Sequence, residues 1–115
     1  MPDSLDDLNK RLKEFATKRD WEQFHSPKNL SMALIAEAAE LIEHFQWLKE
    51  EDSYHLSEKQ LKEVSHEMAD ILIFLIRLSE RLGINLIDAA NVKIAINEKR
   101  FPIETFKGFA GYKHD

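Results

Sequence analysis

Apolar side chains recur along most of the chain every three or four positions, the repeat of an amphipathic helix. Leu5, Leu8, Leu12 and Phe15 set the first such stripe and predict a helix from about Ser4 to Arg19. Leu30, Leu34, Leu41 and Leu48 set a second. It opens at Ser26-Pro27, where a capping serine precedes a proline suited to the first turn, and the pattern carries it to about Lys49. Val64, Ile71, Phe74 and Leu78 line a third helix. Its start is marked by Ser57-Glu58-Lys59-Gln60, a capping-box pattern, and its end by Gly83. A fourth begins after Asn85 and stops at Pro102. The expected fold class is all-α, a four-helix bundle-like protomer. One helical domain is expected over residues 1–103, with an irregular tail over 104–115.

Two acidic pairs interrupt this pattern. At 100° per residue, Glu37 shares a face with Leu30, Leu34, Leu41 and Leu48, and Glu40 lies about 60° to one side. Glu67 shares a face with Val64, Ile71, Phe74 and Leu78, and Asp70 again lies about 60° away. Each helix therefore points an i, i+3 pair of carboxylates toward the expected interior. Burying one unpaired carboxylate costs several kcal/mol even after relaxation, and four like charges cost more. The faces offer no lysine or arginine in their middle turns. Mg²⁺ or Mn²⁺, with oxygen ligands of matching hardness, offsets the charge. The pairs are separated by 26 residues, enough to finish one helix, turn, and return antiparallel beside it. Glu-x-x-Glu alone is common on solvated faces; two such pairs on leucine-rich faces carry the metal reading. His44 lies close to the Glu37 face and reads as a hydrogen-bonded interior or rim residue. Met32, Ile35, Ile42, Leu72 and Ile76 make both helices apolar on their other sides as well, so one face can pack inside the protomer and another against a second subunit.

Composition narrows the function classes. Apolar residues make up 43 % of the 115 and charged residues 32 %, an ordinary globular balance, and only three glycines and three prolines break the helices. The absence of cysteine excludes disulfides and thiolate metal sites. The acidic start, Met1-Pro2-Asp3-Ser4, carries no apolar signal region, and the longest apolar run, Ile71 to Ile76, is too short to span a bilayer. A cytoplasmic protein with no membrane partner is expected. A net charge of −5 argues against a nucleic-acid binder and requires a cation to mediate any contact with a polyphosphate.

The segment Arg19-Asp20-Trp21-Glu22-Gln23-Phe24-His25, then Pro27-Lys28-Asn29-Leu30 and Glu37-Ala38-Ala39-Glu40-Leu41, resembles the MazG-like pyrophosphohydrolases, and more narrowly their dCTP pyrophosphatase branch. The similarity continues through Phe45-Gln46-Trp47, Glu67-Met68-Ala69-Asp70-Ile71-Leu72, Lys93-Ile94-Ala95-Ile96-Asn97 and Lys99-Arg100-Phe101-Pro102. The resemblance implies hydrolysis between the α and β phosphates of a nucleoside triphosphate, dCTP or a modified dCTP first, in a homodimer or homotetramer. It implies that Glu37, Glu40, Glu67 and Asp70 hold Mg²⁺, with Mn²⁺ a possible substitute. It further implies that Trp21 and Trp47 line a base pocket, that Asn97 reads the base edge, and that Lys93 and Arg100 approach the phosphates or the pocket rim. Phe74 stands where members of the branch often carry tyrosine, keeping a stacking surface without the hydroxyl. On spacing alone, Lys93, Asn97 and Arg100 form one i, i+4, i+7 stripe, which by itself reads as a solvated face. Two tryptophans in a helical protein are, by themselves, more often core than base platform.

Water is the expected nucleophile, since no cysteine and no activated serine or threonine motif is present. Glu40 is the candidate to orient it. Two other classes compete: a non-enzymatic helical assembly module, and a di-metal carboxylate bundle. The di-iron form of the latter needs Glu-x-x-His pairs, whereas the i+3 partners here are Glu40 and Asp70.

Overall fold

The computed structural model describes residues 4–108. These are helical throughout, with no strand among the described residues. Helix α1 spans Leu5–Lys18, α2 Pro27–Glu43, α3 Glu58–Leu82, α4 Leu86–Arg100 and α5, a single turn, Ile103–Phe106. Short 3₁₀ turns at Glu22–Phe24 and Glu51–Tyr54 lie in the two longer connections.

The expected start and stop signals are formed. Ser4, Ser26 and Ser57 each accept from the backbone N–H three residues on, at 3.2, 3.1 and 3.2 Å. Gln60 Oε1 returns a bond to the Ser57 N–H at 2.9 Å, completing the capping box. Asn85 caps α4 by accepting from the Asp88 N–H at 3.0 Å. Gly83 ends α3 at φ 67°, a left-handed conformation that glycine adopts without cost.

One boundary differs. The apolar repeat carries α2 to about Lys49, but the helix stops at Glu43 and the chain tightens into turns. The Phe45 and Leu48 N–H groups each donate to a carbonyl three residues back, at 2.9 Å. No glycine or proline marks this end, so the sequence pattern overruns it. The tail differs as well: α5 gives it a helical turn, while residues 109–115 lie outside the described residues.

The chain divides into two compact units, one up to Ile84 and one from Asn85, where the sequence suggests one helical domain through residue 103. In the first unit α2 and α3 form the principal packed pair, and α1 lies on α3. Glu37 converges with Asp70 while His44, seven residues later, faces Glu63. Sequence thus rises on α2 as it falls on α3, so the pair is antiparallel. Ala16, Leu30, Val64 and Ile76 are the buried apolar residues among those described. Leu30 and Val64 belong to the faces that carry the acidic pairs, as the helical wheel predicts. Ile76, on the other apolar side of α3, is buried as well, at 2 % exposed, so packing draws on both sides of that helix. Met32, Ile35, Ile42, Met68 and Leu72 remain exposed.

In the second unit, α4 presents Ile87, Val92, Ile94 and Ile96 to its surface. Phe101 and Phe106 meet edge to face at 5.1 Å, and the Arg100 guanidinium lies 5.2 Å from the Phe101 ring centre. No described helix is long and apolar enough to cross a membrane.

Candidate metal centre

The antiparallel register of α2 and α3 brings their middle turns together, and with them the acidic pairs. Glu37, Glu67 and Asp70 each offer one carboxylate oxygen within 4.8 Å of the others. All three are half-buried. Glu37 Oε2 and Glu67 Oε2 are closed off from solvent and lack a hydrogen-bond partner. Ionised carboxylates only accept, so two of them face to face cannot satisfy each other.

The electrostatics carry the same message. The Glu37 carboxyl is pushed up to about 7 from its ordinary value of 4.5. Burial is the main cause, followed by the charge of Glu40, hydrogen bonding with Glu67 and Glu40, and the charge of Asp70. Without a cation the raised pKa favours the protonated form of Glu37, and that proton supplies the donor the group otherwise lacks. A divalent cation does the same work for all the carboxylates at once.

These residues fit a hard cation. The donor set is all oxygen, two of its buried atoms are unsatisfied, and no thiol or imidazole is among the three.

Glu40, expected as the fourth ligand, stands outside this three-residue group and is exposed. It remains close enough to raise the Glu37 pKa. His44, expected as a hydrogen-bonded interior or rim residue, lies beside the group at ion-pair range: Nδ1 is 3.9 Å from Glu63 Oε2 and Nε2 3.9 Å from Glu67 Oε1.

The aromatic candidates lie in the same unit. Phe74, one turn beyond Asp70 on α3, is half-buried. Trp21 packs edge-on against Phe15 at 5.6 Å and His25 at 6.5 Å, and stays 44 % exposed. Trp47 falls in the turns after α2 and is 87 % exposed, with a free indole face. Lys93, Asn97 and Arg100 lie on α4, in the second unit; Asn97 is half-buried and the two cations are exposed.

Three polar residues of the first unit were not singled out by sequence reasoning. Arg77 is 2 % exposed, an unusual burial for a cation. It faces His25 Nδ1 and Glu80, and Arg81 donates to the His25 carbonyl. The signal was present: Arg77 and Arg81 continue the Glu67–Asp70–Phe74 stripe of α3 at i+10 and i+14.

Comparison with known proteins sets this geometry in a lineage. The model of the MazG-like family matches residues 32–114. The chain is 38 % identical over 109 residues to dCTP pyrophosphatase 1 of Bos taurus, covering 93 % of this chain and 64 % of that protein. It is 40 % identical over 101 residues to dCTP pyrophosphatase 1 of Homo sapiens, covering 86 % and 59 %. The chain thus spans somewhat under two thirds of the length of these relatives. A solved structure of a pyrophosphatase from Archaeoglobus fulgidus superimposes with a TM-score of 0.82 at 36 % identity, covering 89 % of this chain and 95 % of that one.

Proposed function

Because the chain belongs to the MazG-like family, we propose that it is a nucleoside triphosphate pyrophosphohydrolase that uses Mg²⁺, with Mn²⁺ able to replace it. The observation that carries this reading is the convergence of Glu37, Glu67 and Asp70 with buried, unpartnered oxygens. An assembly module has no use for such a cluster, whose burial opposes folding. A redox di-iron bundle needs histidine among its ligands, and the three-residue group has none.

When bound, Mg²⁺ supplies charge neutralisation and Lewis acidity at the triphosphate oxygens. The carboxylates of Glu37, Glu67 and Asp70 would hold it. Glu40, exposed beside Glu37, is free to join the ligands when substrate arrives, or to accept a hydrogen bond from the attacking water and aim it at phosphorus. Water attacks one phosphorus of the α–β linkage, the bridging P–O bond breaks, and a nucleoside monophosphate and pyrophosphate leave. Trp21, Trp47 and Phe74 offer flat faces for the base, with stacking worth about 1–3 kcal/mol per base in single-strand binders. On α4, Asn97 offers both a donor and an acceptor to the base edge, and Lys93 and Arg100 offer cations to phosphate. The names of the relatives favour dCTP or a modified dCTP as substrate. The exposed apolar faces of α2 and α3, with Met32, Ile35, Met68 and Leu72, suit burial in a homodimer or homotetramer.

A panel of dNTPs and NTPs with Mg²⁺, scored for pyrophosphate against orthophosphate, tests the reaction. Pyrophosphate is expected as the first product, with dCTP or a modified dCTP turned over fastest. Orthophosphate released first would move the cleavage site; no product from any nucleotide would leave the assembly reading in its place.

A further inference from the structure

A fully buried arginine is rare, because a cation loses its hydration unless several acceptors replace water. Arg77 is 2 % exposed, and its partners say what it holds. Its Nε and one terminal nitrogen both lie 3.4 Å from His25 Nδ1, and the other terminal nitrogen lies 3.4 Å from Glu80 Oε2. Arginine only donates, so His25 Nδ1 accepts and the ring proton sits on Nε2. Burial, together with the Arg77 and Arg81 charges, lowers the His25 pKa and keeps the ring neutral, as that role requires. One turn further on, Arg81 Nε donates to the His25 backbone oxygen at 3.0 Å. Two arginines of α3 thus grip both the side chain and the backbone of one residue.

His25 closes the short segment that begins with Trp21. Asp20 turns the chain into it at φ 53°. The Trp21 N–H donates to the Ala16 oxygen at 2.9 Å, Gln23 donates to the Asp20 carbonyl at 3.0 Å, and Asn29 donates to the Phe24 carbonyl at 3.0 Å. These ties reach no more than five residues along the chain, whereas those from Arg77 and Arg81 span 52 and 56. The Trp21 ring in turn rests edge-on against His25.

On α3 the gripping residues share one stripe with the metal candidates. Glu67, Asp70, Phe74, Arg77 and Arg81 fall within about 80° at 100° per residue, and Arg77 lies about 10 Å along the axis from Asp70. We propose that Arg77 is a positioning residue for base recognition: it fixes the His25 end of the Trp21 segment to the helix that carries Glu67 and Asp70, and so sets the Trp21 ring at a constant distance from the carboxylates. This rests on the pyrophosphohydrolase reading, with Trp21 as a base platform. Arg77 touches neither metal ligand nor substrate, so its loss is felt in substrate capture and not in the chemical step.

Steady-state kinetics with dCTP at saturating Mg²⁺, on wild type, Arg77→Met and Arg77→Lys, test the proposal. Acrylamide quenching of Trp21 emission in a Trp47→Phe background is measured beside them. A charge-assisted hydrogen bond lost from the segment is expected to raise KM on the order of tenfold in Arg77→Met. The kcat and the Mg²⁺ concentration for half-maximal rate are expected to stay within about twofold, and Trp21 to become more open to quencher. Arg77→Lys, which keeps the charge and the Glu80 pair, is expected to fall between. If Arg77→Met does not fold, His25→Leu cuts the same contact from its half-buried side and is held to the same expectations. A folded variant with unchanged KM and unchanged quenching overturns the proposal, and so does a parallel loss of kcat, KM and helicity. Should wild type consume no nucleotide, the reaction reading fails by itself; quenching then decides the positioning role, with unchanged quenching in Arg77→Met again overturning it.

Discussion

Glu67→Gln is expected to abolish pyrophosphate release while making the metal-free protein more stable. The substitution keeps the shape of the side chain and removes one charge from the three that converge between α2 and α3. A cation that contributes several kcal/mol of transition-state stabilisation loses a ligand, and each 1.36 kcal/mol is tenfold in rate, so a fall of about a thousandfold is expected. The new amide also donates, which gives Glu37 Oε2 a partner it lacks in the wild type. In EDTA the melting temperature is therefore expected to rise by a few degrees, the effect of about 1 kcal/mol in a domain of this size. Turnover and thermal melts on the same preparation check both halves. Wild-type turnover in this variant would remove Glu67 from the site, and a lower melting temperature in EDTA would mean the carboxylate was paired after all.

The second large effect is a pH-dependent stabilisation by Mg²⁺. The pKa of Glu37 is raised in the fold, to about 7 from 4.5. Between those values the native state holds more protons than the unfolded chain, so this group favours folding at low pH and that contribution is lost as pH rises through 7. The metal-free protein is thus expected to melt at a lower temperature at pH 8 than at pH 6, as far as Glu37 governs the difference. Mg²⁺ takes the place of the proton and needs the ionised form, so its apparent affinity is expected to weaken up to about tenfold per pH unit below 7. An ion at a hundred times its dissociation constant adds about 2.7 kcal/mol. The gain in melting temperature on adding Mg²⁺ should accordingly be larger at pH 8 than at pH 6. Equal gains at both pH values would show that no proton is displaced, and that the ion binds elsewhere.

Most of the first unit could be read from the chain. Ser4, Ser26, Ser57 and Gly83 each mark a helix end by local chemistry, and each performs that role, as Asn85 does for α4 in the second unit. The wheel positions of Glu37, Glu67 and Asp70 were equally legible, because a half-buried carboxylate on a leucine face contradicts the pattern around it. Features that depend on a distant partner were less visible. The end of α2 carries no breaker residue, so the pattern runs past Glu43. Ile76 belongs to a helix that is apolar on two sides, and only packing decides how far each is buried. Arg77 resembles a solvated residue in sequence; its burial depends on His25, 52 positions away. The side chains of α4 belong to a separate unit, and the roles of Lys93, Asn97 and Arg100 rest on the resemblance to relatives.

The proposed reaction requires a divalent cation bound by the carboxylates of α2 and α3. Titration of the metal-free protein with Mn²⁺, followed by the electron paramagnetic resonance signal of the free ion, reads that directly and needs no nucleotide. The wild type is expected to deplete the free signal in a saturable way, and Glu67→Gln to weaken binding by about a hundredfold, the cost of a few kcal/mol. A wild-type protein that leaves the signal at full amplitude, or a variant that binds as tightly as the wild type, would contradict it.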